Sequence, residues 1–262
     1  MLKVKDLAVT YGPGETPTVS GIDLEMEKGQ IVAIVGESGS GKTTVIRAIL
    51  GALPSGGRVS EGEILFEGES LLSYDESQWR DLRGSRISMI FQDSGAMMNP
   101  IRKIGSQYIE YIRTHEKMPK AKAKALAEEC LLAMHLSDPE NIMNSYPFEL
   151  SGGMRQRVGI AMAMTFKPDL LLCDEPTSAL DVTTQAQIVR QMMELKEEYK
   201  TGIIIVTHNI GVAAYMADEI IVMKDGRIEE RGNKDKVLYA PESEYTRELL
   251  KAVPTMKGER FV

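Results

Sequence analysis

Near the start of the chain, apolar residues first alternate with polar residues and then form one continuous run. They alternate with polar positions loosely over residues 2–11 and strictly at Ile22, Leu24 and Met26, a pattern typical of half-buried antiparallel strands. Residues 31–35 are apolar throughout, as expected of a strand that is covered on both faces. The pattern therefore predicts an antiparallel sheet, followed by a strand that is buried in a second sheet.

Strands and helices alternate along most of the remaining chain, with one long interruption. Between residues 92 and 167 strand signals disappear, and an alanine-rich amphipathic helix is expected at residues 121–134. After residue 232 the composition is mixed, and we expect a helical tail. The pattern also predicts strands at 63–66, 87–91, 170–173, 203–207 and 220–223, a hairpin turn at Asp225-Gly226, and helices at 42–50, from near 153, and at 183–199.

This alternation indicates an α/β fold with a mostly parallel sheet, an N-terminal antiparallel β-subdomain and an inserted helical subdomain. A chain of 262 residues is long enough to bury such a core. We expect a single domain over residues 1–262, with its core at 1–91 and 168–232, the helical subdomain at 92–167 and a C-terminal tail at 233–262.

Composition narrows the classes of protein that this fold could represent. The net charge of −7 argues against nucleic acid as a partner, because surfaces that bind phosphate backbones carry clustered positive charge. The two cysteines, Cys130 and Cys173, suggest neither a metal site nor a disulfide framework, which fits a reducing compartment. The apolar runs are shorter than the roughly 18 residues of a membrane-spanning helix, and we expect no signal peptide at the N-terminus.

A glycine-rich segment between the buried strand and the following helix predicts a phosphate-binding loop. Its glycines let backbone N–H groups turn toward phosphate oxygens, and the helix N-terminus adds positive potential. Lys42 would hold the β- and γ-phosphates of ATP, and the Thr43 hydroxyl would bind Mg²⁺. A glycine-rich turn without a ligand is the alternative, but the strand-loop-helix context favours nucleotide binding. The predicted nucleotide-binding residues here are Gly36, Glu37, Ser38, Gly39, Ser40, Gly41, Lys42, Thr43 and Thr44.

Two carboxylates follow the predicted strand at residues 170–173. We expect Asp174 to hold Mg²⁺ through water and Glu175 to polarise the attacking water. Two acids after a strand more often form a solvated helix cap, and only the phosphate-binding loop makes the catalytic interpretation the stronger one. The strand also ends at the edge where open α/β sheets bind their ligands.

A second candidate anion cradle lies at Ser151, Gly152 and Gly153, where a small-residue turn opens a helix. The alternative is an ordinary helix N-cap. One nucleotide does not need two phosphate cradles so far apart in sequence, whereas a dimer explains both. In that arrangement Ser151 and Gly153 of one subunit would close on the γ-phosphate held by the other.

The segment LSGGMRQR resembles the signature motif of ABC transporter ATPases, and it lies between the phosphate-binding loop and DEPTSALD, as in that family. The resemblance implies that Tyr11 stacks on adenine, that Gln92 reaches Mg²⁺ and the attacking water, that Asp181 links two subunits, and that His208 contacts the γ-phosphate. The alternatives are that Tyr11 is an ordinary tyrosine at a strand end, that Gln92 is a solvated loop residue, and that His208 is structural.

Further matches resemble the dipeptide, oligopeptide and nickel importers of this family. They include Tyr146-Pro147, Asn99-Pro100 and the sequence ALDV with the following QAQ at residues 185–187. Many peptide-type subunits carry a cysteine-bearing C-terminal extension, whereas this chain has no cysteine after Cys173. On that ground nickel or metal-chelate uptake is expected slightly more than peptide uptake.

The resemblance also implies partners. We expect a second ABC ATPase subunit, more often a related chain than an identical one, two transmembrane permease subunits, and an extracytoplasmic substrate-binding protein that acts indirectly. The complex would place this chain at the cytoplasmic face of the cell membrane. The alternatives are a soluble ABC-type ATPase acting on nucleic acid or ribosomes, and a regulatory module that binds ATP without hydrolysing it.

Overall fold

The computed structural model describes residues 1–12 and 16–251. The chain forms two compact units, one of Met1–Trp79 with Gly202–Val262 and the other of Arg80–Thr201. Residues 252–262 of the predicted C-terminal tail lie outside the described residues.

The strands are β1 (Leu2–Tyr11), β2 (Val19–Met26), β3 (Ile31–Val35), β4 (Gly57–Phe66), β5 (Glu69–Ser70), β6 (Ile87–Ile90), β7 (Leu170–Asp174), β8 (Gly202–Thr207), β9 (Glu219–Lys224) and β10 (Arg227–Asn233). The helices are α1 (Lys42–Ile49), α2 (Glu76–Leu82), α3 (Ile104–His115), α4 (Lys120–Ala133), α5 (Pro139–Asn144), α6 (Gly152–Met164), α7 (Val182–Tyr199), α8 (Ile210–Met216), α9 (Lys234–Tyr239) and α10 (Glu244–Lys251).

The first unit contains the predicted antiparallel sheet, in the order β2-β1-β4-β5. Val4 of β1 lies opposite Leu24 of β2 on one side and Ile64 of β4 on the other, and all three side chains are buried. Strand β4 begins six residues earlier than predicted, at Gly57 rather than residue 63. Its first part is polar and partly exposed, so pairing with β1 rather than an apolar pattern makes it a strand.

The same unit contains a second group of strands, in the order β10-β9-β3-β8. Strand β3 is parallel to both β8 and β9, and all five of its residues are buried, which explains its continuous apolar sequence. Strands β9 and β10 form the predicted hairpin. Asp225 and Gly226 make its turn with φ values of 46° and 78°, the left-handed conformations that a two-residue hairpin turn requires.

The second unit combines the parallel pair β6 and β7 with helices α3 to α7. Helix α3 is not among the elements predicted above, although Ile104, Tyr108 and Ile112 recur at helical spacing and are buried. The Tyr108 hydroxyl is hydrogen-bonded to the Thr165 hydroxyl at the end of α6, with 2.9 Å between the oxygens. Among residues 1–12 and 16–251, we find no helix with the length and apolar character of a membrane span.

The hairpin turn gives a test of the packing in the first unit. A Cβ atom at Gly226 would lie 2.2 Å from the Thr18 carbonyl oxygen, whereas one at Gly68 would have no heavy atom within 4 Å. Both glycines have positive φ, so alanine at either position should cost about 1–2 kcal/mol through the backbone alone. We expect Gly226→Ala to lower the free energy of unfolding by about 1–3 kcal/mol more than Gly68→Ala, because of the added clash. Chemical denaturation measures both, and equal losses would contradict this packing.

Candidate functional site

The phosphate-binding loop of the first unit takes a shape that side chains would prevent. A Cβ atom at Gly36 would lie 2.1 Å from the Met223 carbonyl oxygen at the end of β9, and one at Gly41 would lie 2.3 Å from Val19 Cγ1. Gly41 has a φ of 95° and is the N-cap of α1. The loop can therefore turn from β3 into α1 only because these positions are glycine.

Lys42 folds back over this loop. Its ammonium group donates hydrogen bonds to the Gly36 carbonyl (2.9 Å), the Glu37 carbonyl (2.6 Å) and the Ser40 hydroxyl (3.2 Å). The side chain is buried, like that of Ser40, whereas Glu37, Ser38 and Gly39 are exposed and Thr43 and Thr44 are half-buried. The loop thus combines exposed backbone with a positive charge held at its centre, an arrangement suited to a phosphate chain.

Two other predicted residues lie in the first unit. Tyr11, half-buried at the end of β1, lies opposite Gly57 of β4. His208 follows β8 directly and is exposed. The next residue, Asn209, caps α8 by accepting hydrogen bonds from the amides of Gly211 and Val212.

The second unit brings Glu175 and Gln92 together. The Gln92 amide nitrogen lies 3.5 Å from Glu175 Oε2 and 3.3 Å from the Ser178 hydroxyl. Glu175 has a φ of 44°, a left-handed conformation that is costly for a non-glycine residue and that clusters at functional sites. Asp174, the last residue of β7, is buried. At the end of this strand Asp174 is therefore buried, whereas Glu175 follows it with a left-handed backbone and contacts Gln92.

Gln156 joins the two loops that carry these residues, and the sequence pattern did not single it out. Its side chain is buried, donates to the Pro176 carbonyl at 2.7 Å and accepts from the Ser94 amide at 3.3 Å. One signal could have revealed it. Gln156 lies on the same face of α6 as Ile160, Ala163 and Met164, and a glutamine in an apolar stripe implies buried hydrogen-bond partners.

The signature residues and Asp181 line one cleft of about 390 Å³ in the second unit. Ser151 caps α6 by accepting from the Met154 amide at 3.3 Å. Asp181 caps α7 and accepts from the Thr184 amide at 3.0 Å and the Thr184 hydroxyl at 2.7 Å. The bond from the Thr184 amide has the larger effect and that from the Thr184 hydroxyl the next, and both hold the pKa of the Asp181 carboxyl below its usual range. The carboxyl is ionised at neutral pH. The cleft is lined by Ser151, Gly152, Gly153, Met154, Arg157, Ala179, Leu180, Asp181 and Thr184.

Comparison with known proteins decides the family. A family model described as ABC transporter matches residues 19–178. The chain belongs to the ABC transporter family. It is an ABC transporter ATPase, and the resemblance drawn from LSGGMRQR is confirmed.

Two relatives match this ABC transporter ATPase over nearly its whole length. The oligopeptide transport ATP-binding protein OppD of Bacillus subtilis (strain 168) is 46% identical over 98% of this chain and 73% of its own. The dipeptide transport ATP-binding protein DppD of Lactococcus lactis subsp. cremoris (strain MG1363) is 42% identical over 98% of this chain and 74% of its own.

A solved structure confirms the fold of the ABC transporter ATPase. A dimeric ATP-binding cassette in a post-hydrolysis state, bound to ADP and Pi, superposes with a TM-score of 0.79 at 30% identity. The match covers 89% of this chain and 99% of the solved one. The predicted α/β fold with its antiparallel subdomain and helical insertion is therefore confirmed. The roles assigned to individual residues stay predictions.

The contacts of Gln156 generate a prediction for the ABC transporter ATPase. In Gln156→Leu the Ser94 amide and the Pro176 carbonyl lose their buried partner, at a cost of about 1–3 kcal/mol for each unsatisfied group. The loops carrying Gln92 and Glu175 should then separate, so we expect kcat for ATP hydrolysis to fall at least about tenfold.

Gln191→Leu is the matched control for this prediction. Gln191 is equally buried in the second unit, but its side-chain oxygen has no hydrogen-bond partner among the described residues. Its replacement should leave kcat close to that of the unmodified protein. Equal losses of kcat in the two variants, measured with purified protein, would contradict a specific role for Gln156.

Proposed function

We propose that this ABC transporter ATPase powers the import of oligopeptides or dipeptides through partner permease subunits. One observation carries the proposal: the chain is 46% and 42% identical, over nearly its whole length, to ATP-binding proteins named for oligopeptide and dipeptide transport. Neither of these names mentions nickel. Peptides are therefore proposed ahead of nickel or metal chelates, which reverses the slight preference drawn from the cysteine content.

In the proposed nucleotide site the phosphates of ATP lie on the loop at residues 36–44. Lys42 would exchange its bonds to the loop carbonyls for the β- and γ-phosphate oxygens, and the amides at the start of α1 would complete the cradle. Tyr11 would stack on the adenine ring. The positive charge that the loop holds at its centre supports this proposal, because a triphosphate is the ligand that such a cradle suits best.

The proposed metal ion is Mg²⁺, which Thr43 and Gln92 would contact and which Asp174 would hold through water. Their hydroxyl, amide and carboxylate oxygens are hard ligands of the kind that Mg²⁺ prefers. Within residues 1–12 and 16–251 there is no cluster of three or more His, Cys, Asp or Glu side chains that could hold a metal. Mg²⁺ usually takes one or two protein ligands and completes its shell with water and phosphates. When bound, it would neutralise charge on the phosphate oxygens.

For hydrolysis we propose Glu175 as the group that polarises the attacking water. The contact between Gln92 and Glu175 supports a joint role, in which the amide orients the carboxylate and the water. His208 would contact the γ-phosphate and Asp181 would link two subunits.

We further propose a head-to-tail pair of ATPase subunits, each forming one domain with the core, helical subdomain and tail predicted above. Ser151, Gly152 and Gly153 of one subunit would close on the γ-phosphate that lies on the partner's loop. The cleft shared by these residues and Asp181 supports the proposal, because it places on one surface the residues that are proposed to grip the γ-phosphate and to link the subunits. The related solved cassette is dimeric and holds ADP and Pi.

The remaining partners follow from the importer hypothesis. The second ATPase is proposed to be a related chain, and two permeases would span the membrane, with a substrate-binding protein outside it acting indirectly. This chain would lie at the cytoplasmic face, held there by the permeases. Closure of the ATPase pair on ATP would change the conformation of the permeases, and hydrolysis would reopen it.

Glu175→Gln tests the proposed chemistry. It should lower kcat for ATP hydrolysis at least about 100-fold, because the amide cannot accept a proton from water. ATP should still bind, since the phosphate-binding loop is intact. Steady-state hydrolysis and equilibrium binding of a fluorescent ATP analogue measure the two effects.

Two control variants accompany Glu175→Gln. Lys42→Ala should lose both ATP binding and hydrolysis. Glu198→Gln changes an exposed glutamate of the second unit, which also contains Glu175, and it should keep both. A normal hydrolysis rate in Glu175→Gln would refute Glu175 as the catalytic base.

Uptake measurements test the proposed cargo. In the organism that carries the gene, its deletion should reduce uptake of labelled oligopeptides or dipeptides and leave uptake of radiolabelled nickel unchanged. The unmodified gene should restore peptide uptake, and the Lys42→Ala gene should not. Loss of nickel uptake with normal peptide uptake would overturn the peptide proposal and favour the metal alternative.

A further inference from the structure

Helix α10, far along the chain from the phosphate-binding loop, contacts that loop within the first unit. Tyr245, near the start of α10, is only 8% exposed. Its hydroxyl oxygen accepts a hydrogen bond from the backbone amide of Glu37, with 3.2 Å between the two atoms. None of the motifs discussed above includes Tyr245.

The main chain of Glu37 connects Tyr245 to the central lysine of the loop. The Glu37 amide donates to Tyr245, while the Glu37 carbonyl accepts from Lys42 Nζ at 2.6 Å and from the Ser40 amide at 3.3 Å. A movement of Glu37 would therefore disturb the hydrogen bonds that position Lys42. Tyr245 therefore restrains Glu37 at its amide, whereas Lys42 is bonded to its carbonyl.

One contact holds the ring of Tyr245, and a second set of contacts holds the segment just before it. The ammonium group of Lys224 lies 4.7 Å from the centre of its ring, in cation–π contact. The segment just before α10 is fixed by Glu230, whose carboxylate accepts from the amides of Glu242 at 2.8 Å and Ser243 at 3.0 Å. The hydroxyl therefore reaches the loop from a position that the fold determines in advance.

The chemistry of the hydroxyl suits a permanent restraint. Burial raises the pKa of Tyr245 above its ordinary value, so the group stays neutral at physiological pH. A neutral hydroxyl accepts the amide hydrogen bond without placing a negative charge beside the site where phosphates would bind. Gly36 packs against the Met223 carbonyl and Glu37 is bonded to Tyr245, so the first two residues of the loop are restrained by β9 and by α10.

We propose that Tyr245 is a positioning residue for the nucleotide site, one that holds the loop in the shape that receives the phosphates of ATP. The inference rests on the proposed nucleotide-binding role of this loop. A loop that is ordered before binding loses less conformational entropy when the ligand arrives, so the restraint contributes to affinity rather than to the chemical step.

Tyr245→Phe tests this, because it removes the acceptor oxygen and keeps the ring on Lys224. The dissociation constant of a fluorescent ATP analogue and the KM for ATP should both rise about two- to tenfold, the range expected for one lost hydrogen bond, with kcat unchanged. Hydrogen exchange of the peptide containing Glu37 should become faster. The thermal unfolding temperature should stay close to that of the unmodified protein.

Two controls separate positioning from a general structural effect. Tyr215→Phe removes a hydroxyl from a tyrosine that is 61% exposed on α8, and it should change neither constant. Glu230→Gln weakens the anchor of the segment before α10, so it should raise the KM in the same direction as Tyr245→Phe.

The outcomes distinguish this inference from the function on which it rests. If Lys42→Ala loses ATP binding while Tyr245→Phe keeps the affinity and hydrogen exchange of the unmodified protein, the positioning role is overturned and the nucleotide site stands. If the unmodified protein does not bind the ATP analogue, the proposed nucleotide site is overturned, and the role of Tyr245 with it.

Discussion

The phosphate-binding loop keeps its shape because its backbone packs directly against other backbone. At Gly36 the absence of a side chain lets the chain approach the Met223 carbonyl of β9. The carbonyls of Gly36 and Glu37 accept hydrogen bonds from Lys42 and so hold its side chain over the loop. Any side chain at Gly36 would force the loop away from the strand and carry the lysine with it. The position of the positive charge thus depends on a close contact between β3, β9 and the start of α1, which is a property of the sheet and not of the loop alone.

In the second unit, functional candidates lie on two kinds of local structure. Ser151 and Asp181 are helix N-caps, so the side chain of each satisfies an amide of its own helix while neighbouring residues line a shared cleft. Gln92 and Glu175 instead follow the ends of β6 and β7, on loops that are joined by the buried amide of Gln156 and by the contacts of Gln92 with Glu175 and Ser178. Helix caps fix one group of residues locally, and a long-range hydrogen-bond bridge fixes the other.

The α/β architecture and the candidate site residues could be predicted because their signals are local. The apolar runs of β3, β7 and β8 indicate that both faces of each strand are covered. Asp225-Gly226 predicts a hairpin from the backbone preferences of these two residues alone. Helix α3 was also within reach, since Ile104, Tyr108 and Ile112 have helical spacing. The first half of β4 was not, because its polar residues become a strand only through pairing with β1.

By itself the sequence predicted the alternation of strands and helices and the residues proposed for phosphate binding and acid-base chemistry, because spacing along the chain encodes both. The tertiary structure decided how those residues are held. The contact between Tyr245 and the Glu37 amide joins positions 208 residues apart. The Gln156 bridge joins two loops that are separated along the sequence by more than half of the residues of the second unit. The left-handed backbone of Glu175 is also imposed by its surroundings, since glutamate has no intrinsic preference for that conformation. Such contacts depend on the folded path of the chain, which no local pattern records.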